Sequence, residues 1–96
     1  MLRRPQKGFY YHFKHDPTGL ENNFAYEVMG TAIHTEDKEV CVVYRPLYKS
    51  SFFGKNNFLI RPLENFTEKM KVDGKFKKRF SLIKDKKILA RLRRYK

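Results

Sequence analysis

The sequence has one cysteine, no tryptophan, five scattered glycines and no apolar run near the roughly 18 residues a membrane span requires. A single cysteine excludes an intramolecular disulfide and a cysteine-based zinc site. Cys41 lies in the apolar run VCVVY, where it reads as a small buried hydrophobe in a reducing, cytoplasmic setting. Gly8, Gly19, Gly30, Gly54 and Gly74 are isolated, so there is no glycine-rich phosphate loop, and no nucleophile elbow occurs either. The N-terminus MLRRPQKGFYYHF has no apolar stretch ending in small residues and does not read as a secretory signal. His12 and His15 are three apart, but HFKHDP is not helical in pattern and no carboxylates complete a set. No metal site and no cofactor are expected. With no nucleophile–base pair to assemble, the expectation is a non-enzymatic protein.

Acidic residues are also scarce, at 10 against 22 Lys and Arg, for a formal charge of +12 over 96 residues. The excess is not evenly spread. Residues 1–14 carry +4, residues 15–74 carry −2, and residues 75–96 carry +10. A near-neutral centre with cationic ends is the footprint of a polyanion partner. The chain is nevertheless 41% hydrophobic and 16% aromatic, too apolar for a disordered basic peptide. Its length fits one domain with a modest core.

Strand signals dominate. GFYYHFK (8–14) is aromatic-rich and ends at an Asp-Pro turn. FAYEVMGTAIH (24–34) alternates, with Gly30 as a bulge or bend. VCVVYRPLY (40–48) reads as a fully buried strand that Pro46 ends or displaces to an edge. Residues 24–34 and 39–46 form a hairpin. NFLIR (57–61) is a short strand, PLENF a single helical turn, and Lys69–Val72 a last strand before Asp73-Gly74. In the tail, Ile88, Leu92 and Tyr95 follow a helical stripe between basic residues, so residues 82–94 read as a basic amphipathic helix. The expected fold is mainly β: a five-stranded curled antiparallel sheet or an SH3-like barrel, with a short C-terminal helix. The expected organisation is a basic arm (1–7), one domain (8–80) and a basic helical extension (81–96).

Several polar side chains sit in apolar surroundings. His34, Tyr44, Arg45, Tyr48 and Arg61 are candidates to converge on an anionic ligand, since arginine offers a planar fork and tyrosine a stacking face. The competing reading makes Arg45 a structural brace for a carboxylate or carbonyls. Phe9, Phe24, Phe66 and Phe80 read as core, and Phe52 and Phe53 as exposed loop aromatics. Candidate phosphate contacts are Lys14, Lys77, Lys78, Arg79, Lys84, Lys86, Lys87, Arg91, Arg93 and Arg94.

Taken in order, these residues form a set. Gly8-x-Tyr10-x-His12-Phe13-Lys14 precedes Tyr26-Glu27-Val28-x-Gly30-x-Ala32-x-His34-Thr35-Glu36. Then come Val42-Val43-Tyr44-Arg45-x-Leu47-Tyr48, Arg61-Pro62-Leu63-x-x-Phe66 and Arg79-Phe80. The set resembles a small bacterial and phage family, domain of unknown function 1653, over residues 8–80. The resemblance implies a compact β-rich domain of the small SH3-like barrel type and supplies no function. The sequence departs from it in three places: HDPTGLENNFA, the enlarged KSSFFGKNNF loop, and the basic segment 81–96.

The function expected is therefore nucleic-acid binding, DNA or RNA, through basic extensions and an aromatic and arginine surface. The alternatives are a reader of an anionic small molecule, nucleotide or acidic peptide in the His/Tyr/Arg pocket, and a phage-type module that contacts an acidic protein surface.

Overall fold

The computed structural model describes residues 3–48 and 57–95. Phe52 and Phe53, expected as exposed loop aromatics, lie outside the described residues.

Five antiparallel strands form one sheet. They are β1 (Gly8–His12), β2 (Ala25–Ile33), β3 (Val40–Pro46), β4 (Leu59–Pro62) and β7 (Phe80–Leu82), ordered β4-β3-β2-β1-β7. Between β4 and β7 the chain makes the single-turn helix α1 (Leu63–Thr67) and a separate two-stranded ribbon, β5 (Lys69–Val72) with β6 (Lys75–Lys78). Helix α2 (Lys86–Arg93) ends the fold. The sheet is not closed into a barrel, since β4 and β7 are its two edges.

The expected hairpin is β2–β3, and its register slips between Val28 and Gly30, so the bulge lies at the anticipated glycine. The fifth strand of the sheet is corrected. Lys69–Val72 pairs with Lys75–Lys78 instead, and Phe80–Leu82 joins the sheet beside β1. Lys69, Lys71, Lys75, Lys77 and Lys78 make the ribbon too polar to be buried in a sheet. Phe80 and Leu82 alternate inward and suit an edge that covers β1.

The pleat gives the sheet two apolar faces. One carries Tyr10, Tyr26, Val28, Val42, Tyr44 and Phe80, covered by Phe66 of α1, with Phe24, Tyr48 and Leu63 packed around them. The other carries Ala25, Leu47 and Ile83 under Leu92 of α2, with Phe9, Tyr11, Ile88, Leu89 and Tyr95. The helix is shorter than the 82–94 expected because Leu82 belongs to β7. It begins at Asp85, whose carboxylate caps it by accepting from the amides of Lys87 (2.8 Å) and Ile88 (3.2 Å). Its stripe of Ile88, Leu92 and Tyr95 docks on the domain itself.

Candidate nucleic-acid interface

Phe80 is the hub of the first face. Its ring stacks on Phe66 at 4.1 Å between centroids and meets the edges of Tyr26 and Tyr44 at 5.6 Å and of His12 at 5.0 Å. The Arg61 guanidinium carbon lies 5.3 Å from its centroid. Arg61 Nε donates to the Tyr44 hydroxyl at 2.7 Å, and Nη1 donates to Asn65 Oδ1 at 2.7 Å. The Tyr26 and Tyr48 hydroxyls share a 2.7 Å hydrogen bond. Burial raises the pKa of both Tyr26 and Tyr44, so these remain neutral phenols.

His12 is 6% exposed. Burial first, then the charges of Arg61, Lys14 and Arg79, push its pKa down to about 4. Its Nδ1 accepts from the Lys14 amide at 3.2 Å, so the neutral ring carries its proton on Nε2. Among the described residues, no fully buried side-chain nitrogen or oxygen lacks a hydrogen-bond partner. Sequence reasoning placed His12 at a strand end but missed this role. The alternation of GFYYHFK, which puts His12 on the face of Tyr10, was the available signal.

Of the five residues expected to converge, Tyr44, Tyr48 and Arg61 do lie on this face. Arg45 does not. It points to the α2 side, where its Nε and Nη2 both contact Glu27 Oε1 at 2.8 Å. His34 sits in the exposed β2–β3 connection, 3.4 Å from Asp37. The two histidines first noted also diverge: His15 stacks on Tyr11 at 3.6 Å and its Nδ1 meets the Asn23 carbonyl. Among the described residues, no group of three or more His, Cys, Asp or Glu could hold a metal. Cys41 is buried, its thiol pushed up in pKa by desolvation.

A groove of about 840 Å³ opens between the 20–24 turn and α2. Phe24, Tyr48 and Tyr95 line it with the cations Lys87, Arg91 and Arg94. The turn is built by Asn23, whose side chain bonds the Asp16 amide and the Asp16 and Leu20 carbonyls at 2.6–2.8 Å. Phe24 itself takes φ 56, an unfavourable conformation for a bulky residue. It places the ring 5.8 Å from Tyr48 and 5.7 Å from His12, at the lip of both surfaces.

Not every expected cation is free for phosphate. Arg91 Nε donates to Asn22 Oδ1 (2.9 Å), Nη2 donates to the Tyr11 hydroxyl (3.2 Å), and Glu21 lies 3.6 Å away. It fastens α2 to the turn. Arg79 donates to the Asn65 carbonyl (3.0 Å) and Glu68 Oε2 (2.7 Å), fastening the ribbon's base to α1. Lys14, Lys77, Lys78, Lys84, Lys86, Lys87, Arg93 and Arg94 are exposed, with no carboxylate partner among the described residues. No described helix is long and apolar enough to cross a membrane.

Among curated proteins none matches the chain. A crystal structure of a DUF1653 protein from Bordetella bronchiseptica is similar, with a TM-score of 0.65 and 27% identity over 81% of this chain and 86% of that one. The model of the family described as a protein of unknown function, DUF1653, matches residues 8–82, from the start of β1 to the end of β7. The chain belongs to the DUF1653 family.

Proposed function

We propose that this chain is a non-enzymatic module that binds nucleic acid, with weak sequence selectivity and strong salt dependence. The observation that carries the reading is the groove beside α2, lined by three aromatic rings and three cations, with one carboxylate, Glu21, that faces Arg91. Phe24, Tyr48 and Tyr95 offer stacking area, and Lys87 and Arg94 offer charge. Further exposed cations without a carboxylate partner among the described residues lie on α2 and, separately, on the ribbon. Lysine and arginine contacts to phosphate dominate such affinity and release counterions.

A second reading is favoured by the Phe80 hub. Arg61, half-buried, has N–H groups beyond those given to the Tyr44 hydroxyl and Asn65, and these offer a planar fork to an anionic small molecule or nucleotide.

Fluorescence anisotropy with a labelled oligonucleotide at about 50 and 200 mM salt separates the two. Nucleic-acid binding predicts tight binding at low salt that weakens steeply, and weakens further in Lys86→Ala/Lys87→Ala/Arg94→Ala. No binding at low salt, with protection of the fold by a mononucleotide that Arg61→Ala removes, selects the second reading. Substitution replaces truncation here, because removing residues 81–96 would strip Leu92 and Ile83 from the core.

A further inference from the structure

The β5–β6 ribbon has a two-sided design. Asp73 (φ 51) and Gly74 (φ 78) both take positive φ, the signature of a tight two-residue hairpin turn. The register pairs Lys69 with Lys78, Met70 with Lys77, Lys71 with Phe76 and Val72 with Lys75. Paired residues share a face, and faces alternate along a strand. Met70 and Val72 are therefore on one face, and both are half-buried. The opposite face carries Lys69, Lys71, Lys78 and Phe76, all exposed, with Phe76 at 72%.

Nothing among the described residues accounts for that outer face. Lys69 and Lys78 are directly opposite, an arrangement that costs stability. The face holds no carboxylate: Glu68 is committed to Arg79 at the ribbon's base, and Asp73 is in the turn. A large aromatic ring among three lysines and no acid is complementary to a chain that alternates negative charge with flat apolar faces. Only an unpaired base exposes such a face, because a duplex stacks its bases inside. Arg79 fastens the base of the ribbon to Asn65 and Glu68, which fixes the strand that presents Phe76.

We propose that this outer face is a single-strand site: Phe76 stacks on an unpaired base while Lys69, Lys71 and Lys78 contact the flanking phosphates. The inference rests on the nucleic-acid reading above and specifies the form of nucleic acid and the residues that read it. Phe76 lies outside every candidate drawn from the sequence.

The test is anisotropy with a labelled single-stranded oligo(dT) and a duplex of equal length, on the intact protein and on Phe76→Ala, Phe76→Tyr and Lys71→Ala/Lys78→Ala. The wild-type protein is expected to prefer the single strand. Phe76→Ala is expected to weaken single-strand binding by about 5- to 150-fold, with the duplex affinity, melting temperature and salt slope unchanged. Phe76→Tyr retains a stacking ring and should bind as the wild type does. The double lysine variant should lower the logarithmic salt slope by about 0.7 per lysine. Binding to both forms that is indifferent to Phe76→Ala overturns the ribbon site and leaves the nucleic-acid reading standing. No binding of the wild-type protein to either form overturns both. If Phe76→Ala melts early, the Phe76→Tyr and lysine variants decide the matter by the same criteria.

Discussion

Arg45 and Glu27 face each other across β2 and β3, with the Arg45 Nε and Nη2 atoms both 2.8 Å from the same carboxylate oxygen of Glu27. The pair sits on the α2 side of the sheet, away from Tyr44 and Arg61 on the neighbouring positions of the same and adjacent strands. Both side chains are a little over a quarter exposed, so the pair is partly screened. Arg45→Ala should therefore cost about 1 kcal/mol of stability and leave ligand and nucleic-acid binding unchanged. A double-mutant cycle with Glu27→Ala, read by urea denaturation, checks this. A coupling near zero, or a loss of binding with full stability, would contradict the brace.

His12 predicts a pH dependence with a definite sign. Its pKa is about 4 in the fold, against 6.5 for a free histidine, so the unfolded chain takes up the proton first. The stability linked to neutral His12 is complete above pH 6.5 and is lost as pH falls from 6.5 towards 4. The full shift corresponds to about 3 kcal/mol. The stability difference between the wild-type protein and His12→Gln should shift by an amount of that order between pH 7.5 and pH 4. A pH-independent difference would mean that the fold does not hold His12 neutral.

Leu92 is 1% exposed beneath α2, packed with Ala25, Leu47 and Ile83. Leu92→Ala should destabilise the whole domain by about 2–5 kcal/mol, as a cavity in a shared core does. Thermal unfolding followed by circular dichroism reads it. A melting temperature unchanged from the wild type would mean the helix is an appendage.

Gly74 takes φ 78 with open space where a Cβ would project, so Gly74→Ala meets no clash and carries only the conformational penalty of about 1–2 kcal/mol. That penalty falls on the ribbon. Amide hydrogen exchange across residues 69–78 should quicken by about 5- to 30-fold, with β1 to β3 unaffected. Uniform quickening throughout would show that the ribbon and sheet open together.

The sequence made the hairpin legible because alternation in 24–34, an isolated glycine and a continuous apolar strand are all local signals. The helical stripe was local too, and Ile88, Leu92 and Tyr95 pack as their spacing implied. The order of strands was not legible. Whether Lys69–Val72 or Phe80–Leu82 completes the sheet depends on which covers β1, a contact made across some 70 residues. The site divided in the same way. Tyr44 and Arg61 could be grouped by their apolar neighbours, while the side taken by Arg45 followed from Glu27 standing opposite it. Arg91 read as a phosphate ligand in sequence because its partners, Asn22 and Tyr11, are 69 and 80 residues away. Phe76 carried no signal in a run of lysines until the register showed which face it shares.

We propose nucleic-acid binding by the α2 groove and the ribbon. The most direct measurement is a map of backbone amide chemical-shift changes as a short single-stranded oligonucleotide is added to the labelled protein. The account predicts changes concentrated at 69–78, at 20–24 and along α2 from Lys86 to Arg94, and none at Glu27, Arg45 or the 34–39 connection. A titration that leaves the ribbon and α2 unmoved, or that shifts the 34–39 connection instead, would contradict it.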